Sequence, residues 1–231
     1  MRPVVHTVLF DLDGTLLDHR GSVGAALHAW LPTIGGSPSA DVVDAWFTAE
    51  ERHFPAWRRG EISFAEQRRR RLRDALPLLD RTPGDDADLD RIFEDYLRHY
   101  ESAWSLFDDV EPAFEELAVE GVGVAVLSNG VDAQQTAKLA KLGLTGRVGP
   151  LFTAEGLGVA KPDPQAFSRV CAALGLAADS VLHVGDRYDG DVLPARAAGL
   201  TATHLDRYDE GPHEETDRIR TLRDLPALLR A

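Results

Sequence analysis

One cysteine in 231 residues, Cys171, excludes an internal disulfide and any zinc site built on several thiolates. It lies in AFSRVCAALGL, a helical pattern in which it reads as a buried, unreactive thiol. Positive charge is also scarce: 25 lysines and arginines face 38 aspartates and glutamates, a net charge of −13. Such a balance repels nucleic-acid phosphates and anionic lipid, so neither nucleic acid nor membrane is expected as a partner. No apolar run reaches about 18 residues, so no transmembrane helix is expected. The start, MRPVVHTVLFD, enters a strand directly without the long apolar region of a signal peptide, which leads us to expect a cytoplasmic protein. Internal repeats and low-complexity tracts are absent, and none of the eight histidines stands at metal-ligand spacing from another. What is present is ordinary globular material, 44% hydrophobic and 27% charged, enough for a real core. The length suits one large domain, or a core domain with a smaller one inserted.

Five short apolar runs read as buried strands: 4–12, 122–129, 150–154, 180–186 and 200–205. They are rich in valine and leucine without strict alternation, as parallel strands covered on both faces should be. Helical stretches separate the last four (VDAQQTAKLAKLGL, PQAFSRVCAALGL and DVLPARAAGL), and glycines 143, 175 and 199 stand near their ends, where a left-handed residue closes a helix. This alternation predicts an α/β fold, a doubly wound parallel sheet with a Rossmann-like core. Residues 16–105 contain no convincing strand and several helical patterns, with PGDDADLD as a polar loop between two of them. The expected organisation is an α/β core of residues 1–15 and 106–231, with an all-helical cap domain of residues 16–105 inserted after the first strand.

The first strand runs straight into Asp11-Leu12-Asp13-Gly14-Thr15. On an extended chain, carboxylates two positions apart lie on one side, about 6.6 Å apart along the strand. They repel, and each costs several kcal/mol to desolvate unless something compensates. In open α/β sheets ligands bind at the carboxyl ends of the strands, and the other strand ends supply the compensation. The second ends in Ser128-Asn129-Gly130. The loop after the third carries Lys161-Pro162. The fourth ends in Gly185-Asp186, with Asp189 and Asp191 close behind. Asp11, Asp13 and Asp186 offer the hard oxygens that Mg²⁺ prefers, and Lys161 adds a second cation. Ser128 and the Gly14–Thr15 amides offer donors to phosphate oxygens.

These segments resemble the haloacid dehalogenase-like hydrolase superfamily: DLDGT, SNG, the lysine of GVAKPDP, and GDRYDGD, in that order, across residues 8–191. The resemblance implies a Mg²⁺-dependent phosphomonoesterase working through an aspartyl phosphate. Asp11 would be the nucleophile and Asp13 the general acid and then base, with Lys161 as the catalytic lysine. Gly14, Thr15, Ser128, Asn129 and Gly130 would surround the phosphate. The metal would be held by the Asp11 carboxylate, the Asp13 backbone carbonyl and Asp186. Asp191 matches the second acid of the fourth motif, acting indirectly, and Asp189 is an extra carboxylate outside the pattern. The insertion point is that of the branch with a helical cap.

The dehalogenases of this superfamily lack the aspartate at position 13, because a halide leaves without a proton; an alkoxide needs one, which favours a phosphatase. A phosphate-transferring mutase shares the same residues. A phosphoacceptor switch or a protein that only binds ligand is the reading from another class, and turnover of a small phosphoester separates it from an enzyme. The substrate expected is a small phosphorylated metabolite, a nucleotide or sugar phosphate, and the protein a monomer or homodimer.

One stretch of the insert stands out. Residues 58–73 hold seven arginines against two glutamates. Ser63 and Glu66 form a capping-box pattern, so a helix should start at Phe64, with Phe64, Ala65, Leu72, Ala75 and Leu76 on one apolar stripe. Arg68 falls within that stripe. It either pairs inside the cap, where the acidic run 80–95 would answer these arginines, or grips an anionic part of the substrate.

Overall fold

The computed structural model describes residues 4–230. They form two compact units: the described residues up to His19 together with those from Ser105 onward, and Arg20–Trp104. Among the described residues no helix is long and apolar enough to cross a membrane.

The chain begins with β1 (Thr7–Phe10), buried at every position. The strand is shorter than the apolar run 4–12, because the chain turns after Phe10: Leu17 donates back to the Leu12 carbonyl and Gly14 to the Leu17 carbonyl. Residues 16–18 remain with this unit through the returning chain, since Leu17 bridges Leu106, Phe107 donates to the Leu16 carbonyl and Asp18 to that of Ser105.

The helical unit consists of α1 (His19–Trp30), α2 (Ala40–Arg58), α3 (Phe64–Ala75) and α4 (Asp86–Ala103), joined by short turns. PGDDADLD is only half a loop, because the Asp85 carboxylate caps α4 by accepting from the Asp88 amide, which carries residues 86–90 into the helix. Trp30, Trp46, Phe93, Tyr96 and Tyr100 form the aromatic centre of this unit, with ring centroids 4.5–6.0 Å apart. Helix α3 starts where expected, with the Ser63 hydroxyl accepting from the Glu66 amide.

The buried face of α3 differs from the expected stripe. It is Gln67, Arg71, Leu72 and Ala75; Ala65 is exposed. The arginine that enters this unit's interior is Arg71, held by Glu50 of α2 at 2.7 Å and lying over the Trp46 ring. Arg68 stacks on Phe64 and Phe93, 4.1 and 5.2 Å from their centroids. Burial pulls its pKa down to about 10, with the neighbouring Arg71 charge adding to the effect. Arg69 and Arg73 meet Asp86 and Asp90, so the acidic run does answer the arginines. Arg68→Ala should therefore lower the melting temperature by about 2–4 °C, the equivalent of roughly 1 kcal/mol of lost stacking. An unchanged melting temperature with a raised KM for an anionic substrate would instead assign Arg68 to substrate binding.

The α/β unit continues with α5 (Val110–Val119), β2 (Gly123–Ser128), α6 (Asp132–Lys141), β3 (Leu151–Thr153), α7 (Ala154–Leu157), α8 (Pro164–Leu174), β4 (Val181–Gly185), α9 (Leu193–Ala197), β5 (Thr201–Leu205), β6 (Arg218–Ile219) and α10 (Leu225–Arg230). The six strands make one parallel sheet in the order β3-β2-β1-β4-β5-β6. The two-residue β6 is too short to show in a hydrophobic pattern. The helix expected from Asp191 onward starts with a wider π turn over Tyr188–Val192 before α9 begins. Gly175 has a φ of 67° at the end of α8, the left-handed conformation expected there. Cys171 is buried in the core beside Phe167 and Val170, and burial pushes its thiol pKa up.

Candidate active site

Because β1 lies between β2 and β4, the chain connections leave it toward opposite edges of the sheet. This is the kind of switch point at which open α/β folds bind ligands. Phe10 pairs with Val126 on one side and Val184 on the other, so Asp11 emerges between the ends of both neighbouring strands. Asp11 and Asp13 do not share one face of a strand, since the chain has already begun to turn. Each carboxylate has its own lysine instead: Lys161 Nζ lies 2.6 Å from Asp11 Oδ1, and Lys138 Nζ lies 2.5 Å from Asp13 Oδ1.

The lysines are set by different devices. Lys161 is buried in the loop after α7, where Asn129 clasps its backbone: Asn129 Nδ2 donates to the Lys161 carbonyl and Lys161 N to Asn129 Oδ1, both at 2.8 Å. Asn129, expected beside the phosphate, thus spends its amide on positioning Lys161. Lys138 comes from α6, whose first turn is tied to β3 and α7 through Thr153 to Asp132 and the Asp132 amide to Glu155. The Gly14 amide, expected to face a phosphate, donates to Leu17 within the turn. Gly14 has a second duty. Its φ is 96°, and a Cβ there would sit 2.4 Å from Asp186 Oδ2, so the bare backbone makes room for that carboxylate. Ser128 and Thr15 are buried, the Ser128 hydroxyl accepting from the Gly130 amide; Thr15 Oγ1 has no partner among the described residues.

Asp191 is brought under the site by the π turn. Its Oδ1 meets Lys161 Nζ at 2.5 Å and His183 Nε2 at 3.2 Å, and its Oδ2 accepts from the Arg187 amide. Asp189 is exposed, with Arg187 at 4.0 Å. Asp11, Asp186 and Asp191 each bring a carboxylate oxygen to within 4.8 Å of the others. Burial raises the Asp11 carboxyl above the usual range, against the pull of Lys161. Asp186 is raised further, by burial and then by the charges of Asp11 and Asp191. Burial acts the same way on Asp191, but Lys161 outweighs it and holds this carboxyl low. Lys161 stays protonated because Asp11 and Asp191 overcome the effect of its own burial.

Four carboxylates (Asp11, Asp13, Asp186 and Asp191) therefore face two ammonium groups. Asp11 Oδ2 is buried with no partner among the described residues. A divalent cation suits both the missing charge and the unused oxygen.

Sequence reasoning missed two members, Lys138 and His183. Lys138 occupies, with Gln135 and Leu139, the buried face of α6. Polar residues in apolar phase on an amphipathic helix were the available signal. His183 is fully buried in β4, packed edge-on against Phe167, and nothing in VLHVGD marks it. Arg68 belongs to the other compact unit.

Comparison with known proteins adds to this geometry. The family model of haloacid dehalogenase-like hydrolases matches residues 5–199. Phosphoserine phosphatase of Thermus thermophilus is 29% identical over 204 residues, 87% of this chain and 78% of that protein. Ribulose-1,5-bisphosphate 5-phosphatase of Halopiger xanaduensis is 35% identical over 129 residues, 55% of this chain and 54% of that protein, so the match spans about half its length. Among solved structures, the HAD-hydrolase YfnB of Bacillus subtilis, bound to magnesium, superposes with a TM-score of 0.83 over 99% of this chain and 100% of that one, at 23% identity. The L-2-haloacid dehalogenase of Xanthobacter autotrophicus superposes with a TM-score of 0.75 over 98% and 99% of the two chains, at 25% identity. Phosphatases and dehalogenases thus share this fold. Since the family match runs from before β1 to beyond Asp191, the chain belongs to the haloacid dehalogenase-like hydrolases.

Proposed function

We propose that the chain is a Mg²⁺-dependent phosphomonoesterase. One observation carries this choice over a dehalogenase: beside the buried Asp11 stands a second carboxylate, Asp13, held by its own lysine and partly open to solvent. A halide needs no proton on departure, but an alkoxide does. In the first step an Asp11 oxygen attacks phosphorus, the bond from phosphorus to the ester oxygen breaks, and Asp13 gives its proton to the departing alkoxide. In the second, Asp13 takes a proton from water, the water oxygen bonds to phosphorus, and the bond to Asp11 breaks to release phosphate. Lys161 lowers the repulsion between the anionic nucleophile and the anionic ester.

Asp11, Asp186 and the Asp13 backbone carbonyl would hold the metal, with Asp191 supporting the site through Lys161. When bound, Mg²⁺ supplies the positive charge that lets a phosphate dianion approach a carboxylate. Substrate choice we place in the helical unit, read as a cap. The relatives named for phosphoserine and ribulose bisphosphate favour a small anionic phosphoester. Phosphate release from a panel of nucleotides, sugar phosphates and phosphorylated acids, with and without Mg²⁺, tests the reading; no turnover of any of them would refute it.

The metal also has a readout apart from turnover. At 100 times its dissociation constant, Mg²⁺ should stabilise the fold by about 2.7 kcal/mol, a rise in melting temperature of roughly 5–10 °C for a chain of this size. Because the Asp11 and Asp186 carboxyls are raised in the folded state, they disfavour the metal-free fold as pH rises above the ordinary carboxylate range, where they must ionise side by side. The Mg²⁺-induced rise should therefore grow with pH and vanish with EDTA. Calcium should restore activity poorly, because its larger, looser shell relaxes the in-line geometry. Full activity in EDTA would overturn the metal assignment.

A further inference from the structure

We propose that Lys138 is a positioning residue for Asp13: it holds Oδ1, so that the proton is given and taken at Oδ2. The inference rests on the reading of Asp13 as the acid and base. Lys138 is 3% exposed, and its Nζ lies 2.5 Å from Asp13 Oδ1. Burying an ammonium group costs several kcal/mol unless it is paired, so the contact ties the two side chains firmly together. Without it, Asp13 stands on a turn close to the buried Asp11 carboxylate, and repulsion would swing it away. A general acid must lie within hydrogen-bond reach of the oxygen it protonates, and the lysine fixes that reach.

The surrounding structure favours this placement. Gln135, one turn earlier on α6, is also buried, and a Cβ on Gly130 would lie 1.6 Å from its Nε2. The bare backbone at Gly130 thus lets the polar face of α6 close onto the loop after β2. The ties from Asp132 to Thr153 and Glu155 fix the helix at its start. In this way α6 serves Asp13 as the loop before α8 serves Asp11.

The test compares an alkyl phosphate with p-nitrophenyl phosphate in Lys138→Met, folding being checked by circular dichroism and by the Mg²⁺-induced thermal shift. kcat/KM reports the steps through formation of the phosphoenzyme, and p-nitrophenolate leaves without a proton. The expected result is a fall in kcat/KM of about 10- to 100-fold for the alkyl ester and at most about 3-fold for the aryl ester. The aryl ester should also show a burst of p-nitrophenolate, because the second step still needs Asp13. An equal fall for both esters, or none for either, overturns the proposal. If Lys138→Met does not fold, Lys138→Gln is judged by the same ratio. Asp13→Asn run in parallel separates the two levels. Discrimination between the esters in Asp13→Asn but not in Lys138→Met overturns this inference alone. Its absence from Asp13→Asn overturns the underlying reading, and this inference with it.

Discussion

Asp11→Asn is expected to release no product from any phosphoester, a loss on the order of 10⁴-fold or more, because in the proposed mechanism the covalent intermediate forms on the Asp11 carboxylate. Asp13→Asn should behave differently according to the leaving group. p-Nitrophenolate departs unaided, so the variant should transfer one phosphoryl group to Asp11 and show a burst approaching one product per enzyme. The phosphoenzyme then persists, since asparagine cannot take a proton from water. With an alkyl phosphate neither the burst nor turnover should appear. Rapid-quench or stopped-flow measurement of the first turnover checks both. Steady turnover of both esters by Asp13→Asn at near wild-type rates would show that Asp13 is not the acid and base. Asparagine keeps the shape of aspartate and remains a partner for Lys138, so the substitution mainly removes the titrating group.

Asp109→Asn should be the most damaging substitution outside the site. Asp109, just before α5, is fully buried, and its carboxylate accepts from both Arg207 terminal nitrogens, the Thr221 hydroxyl and the Leu222 amide, at 2.7–3.0 Å. Removing the charge leaves Arg207 buried over the Phe107 ring without its counter-ion and turns an amide NH₂ toward donors. Breaking such a pair costs about 3–5 kcal/mol, a fall in melting temperature of roughly 6–20 °C here. Burial alone would raise the Asp109 carboxyl, but Arg207, Thr221 and Leu222 outweigh it and hold it below the usual range. A depressed folded-state pKa contributes stability above the unfolded value that is lost as pH falls. The difference between wild type and Asp109→Asn should therefore narrow as pH drops below about 4 in thermal or denaturant unfolding. A difference independent of pH would mean that the carboxylate is not the anchor. Arg207 also donates to the Thr15 carbonyl, so the variant loosens the turn that carries Asp13 as well.

The sheet and the four segments at its edge were legible because they depend on local chemistry: valine-rich runs, glycine at turns and carboxylates at strand ends. The details that escaped depend on partners far along the chain. The phase of Lys138 on α6 marks it as facing inward but does not name its partner; only the arrival of Asp13 from the turn after β1 makes it a buried counter-ion. Arg68 and Arg71 differ by less than one turn, and which of them is buried is decided by Glu50 and Trp46 of another helix. Ala65 lies in the first turn of α3, where the periodicity argument is weakest. The Gly14 amide and the Asn129 side chain suit a phosphate by residue type, yet backbone claims both, that of Leu17 in the same turn and that of Lys161 in another loop.

The central place of β1 in the sheet has a consequence for biosynthesis. The strand is made first, but its neighbours β2 and β4 follow more than 100 and 160 residues later. At typical elongation rates of about 5–20 residues per second, roughly 10–40 s pass between the emergence of Asp11 and that of Asp191. For the first part of that interval, until β2 is made, the ribosome displays a largely apolar strand with no neighbour to pair with, a segment that chaperones would shield. Until Lys161 and Asp186 are made the two aspartates stand without them, so on the proposed reading a shorter nascent chain would neither capture the metal nor be phosphorylated on Asp11. If the proposed metal site is right, the capacity to retain a divalent cation should appear only once β4 has docked, and cation retention by stalled chains of increasing length would time that event.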